Sequence, residues 1–303
     1  MTLVVGATGL LGTEICRRLA SAGKPFRAMV RSTSDPAKKD VLNQLGGELI
    51  EADLKDRPSL DRACQGATAV ITTPTAILSQ QNGDTFDSVD LHGQMHLIDG
   101  ARAAKVGRYI FVSVSGNLLK RGDNPLFDAK QAVENHLRQS GLTYTILRPT
   151  FFTEIWLSPH LGFDSANAKA TIYGSGQNKV SYISLHNVAD FAVEALSNPA
   201  ARNTVIDLGG PETLSPIEVV RIFEELAGCT FEKQFVLEEG LQVRKAAASN
   251  PVELTFADLI LSVAQGDSID MSDTFKKFSV RPKSVREYAE MVTHGNSGHR
   301  DRK

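Results

Sequence analysis

A chain of 303 residues, 42% of them hydrophobic, can bury a core without disulfides or a structural metal, and suits one large α/β unit or a core with a smaller appended lobe. A formal net charge of −2 argues against a nucleic-acid surface, which needs a surplus of Lys and Arg on one face, while leaving room for a local basic pocket. Cys16, Cys64 and Cys229 form neither a C-x-x-C pair nor a metal-ligand spacing, so they read as reduced thiols, with Cys16 a small core residue in a helical apolar pattern. Leu3-Val4-Val5 is too short for a signal-peptide core, and no apolar run approaches the roughly 18 to 20 residues of a membrane span; a cytoplasmic protein without membrane contact is expected.

In chain order, Leu3–Val5 reads as a buried strand, and Leu11, Ile15 and Leu19 repeat at helical spacing up to a stop at Gly23. Phe26–Val30 is the second strand, followed by a helix from Pro36 to Leu45, a third strand at Glu48–Ile50 and a helix from Pro58 to Cys64. Ala69–Thr72 is the fourth strand, Val89–Ala104 one long helix, and Tyr109–Val112 the fifth strand. A helix from Phe127 to Gln139 leads to the sixth strand, Tyr144–Leu147. This alternation predicts a doubly wound, Rossmann-type α/β fold, a parallel sheet covered on both faces. After Pro149 the rhythm loosens, with turns at Tyr173–Gly176 and Gly209–Pro211, a helix at His186–Leu196, a strand at Thr204–Leu208 and a helix from Pro216 to Ala227. The expected organisation is a core over residues 1–150, a mixed region over 151–292 that completes the sheet and forms a smaller C-terminal α/β substrate lobe, and a disordered polar tail over 293–303.

The strongest motif is Gly6-Ala7-Thr8-Gly9-Leu10-Leu11-Gly12, directly after a strand and before a helix. Gly6 suits a tight turn, Gly9 a close approach of backbone to a pyrophosphate, and Gly12 tight packing of helix on strand, while the helix N-terminus offers N–H groups to the phosphates. No Gly-Lys-Ser/Thr follows, which excludes a Walker A loop. A dinucleotide is therefore the expected cofactor. The second strand ends at Arg31 rather than at the Asp or Glu that holds a ribose 2′-hydroxyl, and an arginine there can pair with a 2′-phosphate, with Lys38 and Lys39 adding charge; NADP is favoured over NAD. Asp53 and Leu54, after the third strand, suit the adenine edge and face, and Thr72, Thr73 and Pro74 end the fourth strand beside the cofactor path.

Together with Ala52-Asp53-Leu54, Phe111-Val112-Ser113, Tyr144-Thr145-Ile146-Leu147-Arg148-Pro149, Asn187-Val188-Ala189-Asp190 and Gly209-Gly210-Pro211-Glu212, the glycine loop resembles the NmrA-like, atypical branch of the short-chain dehydrogenase/reductases. The resemblance runs to about Val292 and implies dinucleotide binding, with Ser113 and Pro149 at strand ends beside the cofactor. That superfamily's Tyr-x-x-x-Lys pattern is broken, because Lys130 is preceded four residues earlier by Leu126. Pro125–Lys130 instead resembles the Phe-x-x-Lys of isoflavone-reductase-like enzymes, which implies Lys130 as acid/base, as ribose anchor, or as both. Apolar walls around such a lysine would disfavour its ammonium form.

Ser115, Phe151, Phe152 and Trp156 are the substrate-side candidates, with His186 and Tyr182 as further ones, and the aromatic cluster suits a quinone or phenolic compound. His92 and His96 lie one helical turn apart without the glutamate of a zinc-protease helix, and no metal is expected. The reading is an NADP-dependent reductase of a small apolar or aromatic carbonyl- or quinone-like substrate. Two rivals are a non-catalytic redox sensor that reports to a protein partner, and an accessory assembly factor with an exposed apolar patch.

Overall fold

The computed structural model describes residues 1–77, 79 and 81–300, of which 294–300 by backbone alone. The chain opens β1 (Thr2–Val5), α1 (Leu10–Ser21), β2 (Phe26–Val30), α2 (Pro36–Gln44), β3 (Glu48–Glu51), α3 (Arg57–Cys64) and β4 (Ala69–Thr72). A π-helical stretch, Phe86–Gly93, runs into α4 (Gln94–Ala103), followed by β5 (Arg108–Val112), α5 (Gly116–Leu119), α6 (Pro125–Gln139) and β6 (Tyr144–Pro149). Next come α7 (Thr153–Trp156), β7 (Phe163–Asp164), β8 (Lys169–Tyr173), α8 (Leu185–Glu194), β9 (Thr204–Leu208) and α9 (Pro216–Ala227). β10 (Glu232–Val236), α10 (Glu238–Ala246), α11 (Pro251–Gln265), α12 (Ser272–Lys277) and α13 (Val285–Arg300) complete the order.

Seven strands form one sheet in the order β3-β2-β1-β4-β5-β6-β9. The pairs from β3 through β6 are parallel, in registers such as Val4↔Ala28 and Val4↔Ile71. β9 runs the same way, because Asn203 N–H donates to Tyr144 O at one end and Thr150 N–H to Leu208 O at the other. Every residue of β1, β4 and β5 is buried, as expected of central strands with helices on both faces. The order reverses between β1 and β4, and the glycine loop leaves β1 at that switch point, where ligands of open α/β sheets bind.

Local chemistry explains the helix starts. Asn124 accepts from Leu126 N and Phe127 N, with Pro125 at the first position of α6, where a missing N–H costs nothing. Ser215 and Glu218 form a reciprocal capping box at the start of α9, and Gly228 ends that helix at φ +65°.

Contacts divide the chain into two compact units. The first contains Met1–Arg148, Val188–Asp207 and Thr274–Val280; the second contains Pro149–Asn187, Leu208–Asp273 and the chain from Arg281. The late segment Thr274–Val280 belongs to the first unit because Phe191 of α8 lies against Phe275 and Phe278, at centroid distances of 6.2 and 5.3 Å. Asn198 Nδ2 also donates to Lys277 O, and Ser279 N–H to Glu194. The second unit has its own three-stranded sheet, β10-β8-β7, with β10 parallel and β7 antiparallel to β8. Leu241, Leu261 and Ala264 pack there with Tyr173, Val236 and Ile260, and Phe163 lies edge-on to Phe223 at 4.7 Å.

Two expectations change, and a third lies largely beyond what is described. The long helix from Val89 is π-helical at its start, with one residue more per hydrogen-bonded turn than an α-helix. The looser C-terminal half carries a second sheet and four helices, α10 to α13, that periodicity did not suggest. The frayed tail placed at 293–303 falls largely outside the residues described with side chains, the α13 backbone continuing to Arg300. No helix among the described residues is long and apolar enough to cross a membrane.

Phe191 is fully buried, so Phe191→Ala is expected to cost about 3–5 kcal/mol in urea or thermal unfolding, through lost transfer energy and the cavity left behind. A loss under 1 kcal/mol would mean that the aromatic cluster does not hold the late segment.

Candidate functional site

Gly6 follows β1 at φ +82°, and a Cβ there would lie 2.6 Å from Thr73 Oγ1. A Cβ on Gly12 would lie 2.0 Å from Gly6 O, closer than any real contact, so only glycine lets α1 sit this near β1. Gly9 N–H donates to Gly6 O at 3.0 Å and Thr13 Oγ1 to Ala7 O at 2.8 Å, which closes the turn. Gly9 caps α1 without a side chain, leaving the first-turn N–H groups free of any side-chain cap. Ala7 and Leu11 are buried, Gly9 is exposed, and Leu10 is exposed at the start of α1. A pyrophosphate fits this cradle, held by backbone N–H groups at a helix N-terminus.

At the ends of β2 and β3 lies a charged cluster. Arg31 Nη1 donates to Asp84 Oδ2 at 2.7 Å, and Lys55 Nζ pairs with Asp84 Oδ1. Ser79 Oγ donates to the same carboxylate, and Asp53 Oδ2 stands 3.8 Å from Lys55 Nζ. Burial acts to raise the pKa of Asp84, but the hydrogen bonds from Lys55, Ser79 and Arg31 outweigh it and hold the carboxyl below the ordinary range. Arg31 is therefore tied to Asp84 at the end of β2, with part of its side chain still in solvent. Lys55 was not among the candidate cations, whereas Lys39 bonds Ser32 O and Lys38 is exposed. Asp53 turns its carboxylate to Lys55 N–H at 2.9 Å, and Leu54 is buried against Gly93.

Lys130 lies in the second turn of α6 with only 3% of its side chain exposed. Its Nζ is 3.0 Å from Asp90 Oδ1, donates to Pro74 O at 3.3 Å and sits 5.2 Å from the centre of the Phe111 ring. The contact with Asp90 is an ion pair rather than a well-directed hydrogen bond. Asp90 belongs to the π-helical stretch, is fully buried, and takes Ala76 N–H on its other oxygen at 2.8 Å. The apolar surroundings expected for Lys130 are thus corrected: a buried carboxylate faces the ammonium and balances its charge. Thr72 Oγ1 donates to Gln94 Oε1 at 3.0 Å, and the buried Ser113 hydroxyl has no protein partner among the described residues. Thr73 hangs from β1 through its N–H to Val5 O at 3.1 Å.

The substrate-side candidates separate. Ser115 is fully buried and caps α5 by accepting from Asn117 N–H. Phe151, Phe152 and Trp156 follow Pro149 in the second unit, where Phe151 and Trp156 meet edge to face at 4.7 Å. Trp156 and Tyr182 line a cleft of about 20 Å³ with Leu157, Phe163 and Val263, room for about one water and not for an aromatic substrate. His92 and His96 rings stand 6.5 Å apart, and no metal-holding group occurs among the described residues. Cys16 and Cys64 are core thiols pushed up to about 12, chiefly by burial.

Removing one partner of a buried ion pair strands the other charge. Lys130→Met is expected to lower stability by about 3–5 kcal/mol, and Lys130→Met with Asp90→Asn to recover most of it, read by chemical unfolding. Additive losses in the double variant would show that the two charges are not coupled.

The NmrA-like family model matches residues 1–289. The photosystem II assembly factor Ycf39 of Trieres chinensis is 31% identical over 75% of this chain and 69% of that protein. The isoflavone reductase homolog IRL of Zea mays is 30% identical over 86% and 84%. The NAD(P)H azoreductase of Xenophilus azovorans is 29% identical over 96% of each. Among solved structures, the Escherichia coli NADPH-dependent quinone oxidoreductase QOR2 with NADPH shares the fold at TM-score 0.76, with 21% identity over 96% of this chain and 99% of that one. A chain that carries its glycine loop at the switch point of the sheet and matches that family model over residues 1–289 belongs to the NmrA-like family.

Proposed function

We propose that this chain is an NADPH-dependent reductase of a small apolar or aromatic substrate with a carbonyl or quinone oxygen. The observation that carries the reading is Lys130: an ammonium buried at 3% exposure, held by Asp90 and Pro74 O, in the unit that bears the glycine loop. Reductases among the relatives and the NADPH-bound quinone oxidoreductase of the same fold support it.

The residues fit the dinucleotide. Gly6–Gly12 would hold the pyrophosphate, Asp53 the adenine edge and Arg31 the 2′-phosphate, with Thr72–Pro74, Ser113 and Pro149 along the strand ends. When bound, NADPH supplies hydride to the substrate carbon. Lys130 holds a proton at Nζ and gives it to the developing oxyanion, or anchors ribose hydroxyls with the same donors. Asp90 and Pro74 O fix the direction of that donor, and Phe111 walls it from water.

A second reading is a dinucleotide-binding protein that acts through a protein partner, as a redox sensor or an assembly factor. Leu126 at the place of the superfamily tyrosine favours it, as do the exposed Phe235, Leu237 and Val243 in the second unit.

Titration with NADPH and NADH, then turnover against quinones and aromatic carbonyls, tests the proposal. Tight NADPH binding with turnover is expected; binding without turnover on any of them would favour the partner reading. Lys130→Arg keeps the charge but replaces a transferable proton by a guanidinium that does not release one. It is expected to lower kcat by about 10²-fold or more, with NADPH affinity within about threefold. Unchanged kcat would remove the proton role, and unchanged kcat together with unchanged affinity in Lys130→Ala would remove both roles.

A further inference from the structure

Two cations from different strand ends meet on one carboxylate. Arg31 follows β2 and Lys55 follows β3, strands paired in parallel with Val30 opposite Glu51 and joined past their ends by Ala52 N–H to Val30 O at 3.0 Å. Both cations thus stand at the C-terminal edge of the sheet, where its ligands bind. Asp84 is 2% exposed and takes Arg31 on Oδ2 and Lys55 on Oδ1, while the two cations keep 31% and 29% of their side chains open to solvent. The carboxylate is thus buried, while both cations keep part of their side chains in solvent. Arg31 commits one guanidinium nitrogen to Asp84, which leaves the rest of its planar fork for an outside ligand.

We propose that Lys55 is the second cation of the 2′-phosphate site and, with Arg31, sets the preference for NADP over NAD, Asp84 being the positioning residue that holds the two together. The inference rests on the NADP reading above. A phosphate monoester carries a charge of about −1.5 to −2 at neutral pH and has three acceptor oxygens, more than one guanidinium satisfies. Asp84 and Asp53 offset the two cations while no phosphate is present, which makes the basic pair compatible with a chain of net charge −2. Lys39, by contrast, has its Nζ on Ser32 O at 3.2 Å rather than on the Asp84 carboxylate.

The test is the ratio of NADPH to NADH dissociation constants, measured by fluorescence titration of the full chain. Lys55→Met is expected to weaken NADPH about tenfold and NADH less than twofold, with Lys55→Arg restoring most of the ratio and Lys39→Met leaving it unchanged. Asp84→Glu, which keeps a carboxylate, is expected to hold a larger ratio than Asp84→Asn. Thermal melts check that each variant is folded. A wild-type ratio near one would overturn the NADP reading, and this inference with it. A wild-type preference for NADPH that Lys55→Met retains in full would overturn the role of Lys55 alone, leaving Arg31 as the phosphate ligand.

Discussion

Lys130 and Asp90 leave water together, and neither could do so alone. An unpaired charge in a dry interior costs several kcal/mol, so the pair constrains every element that brings it together. α6 must present its second turn, the π-helical stretch must place Asp90 opposite, and the chain after β4 must offer Ala76 N–H and Pro74 O. β5 supplies Phe111 as the wall. The contact ties four elements of the first unit to one point, and it leaves an ammonium whose direction is set before any ligand arrives.

A second, more exposed charge group stands at the ends of β2 and β3. The glycine loop between the two groups contributes no charged side chain, only backbone and the end of a helix. On the proposed reading, the first unit carries three features for successive parts of one dinucleotide: a cation cluster at β2 and β3, the amides of the loop after β1, and the Lys130 ammonium on α6. The first two hang from the ends of parallel strands, and the third is carried by α6, which follows β5.

Much of this was legible in the residues. The bounds of β2, β4 and β9 can be read directly, since Phe26–Val30, Ala69–Thr72 and Thr204–Leu208 are compact runs of strand-forming residues between turn signals. The glycine loop is legible because its spacing is local. Asp90, Asp84 and Lys55 are not, because their roles arise from pairings 29 to 53 residues apart along the chain or across a buried helix face, which no window of periodicity contains. Asp90 is further hidden by the π-helix, which shifts the face that an α-helical count assigns to it. β10 was missed because Glu232–Val236 is half exposed and mostly polar, and a strand buried on neither face lacks alternation. Ser115 carries the opposite ambiguity: a serine at a strand end is equally a helix cap, and here its hydroxyl accepts from Asn117 N–H.

The interleaving of the two units has a consequence for synthesis. The first 148 residues hold six of the seven strands, yet β6 has no neighbour on its outer side until β9 emerges some sixty residues later. During that interval the nascent sheet carries an open edge, the kind of surface that pairs with other chains. The Phe191 cluster waits longer still, for Phe275 and Phe278 to clear the ribosome. The first unit to begin folding is thus completed only when nearly the whole chain exists, and a chain stopped in between exposes an unfinished sheet.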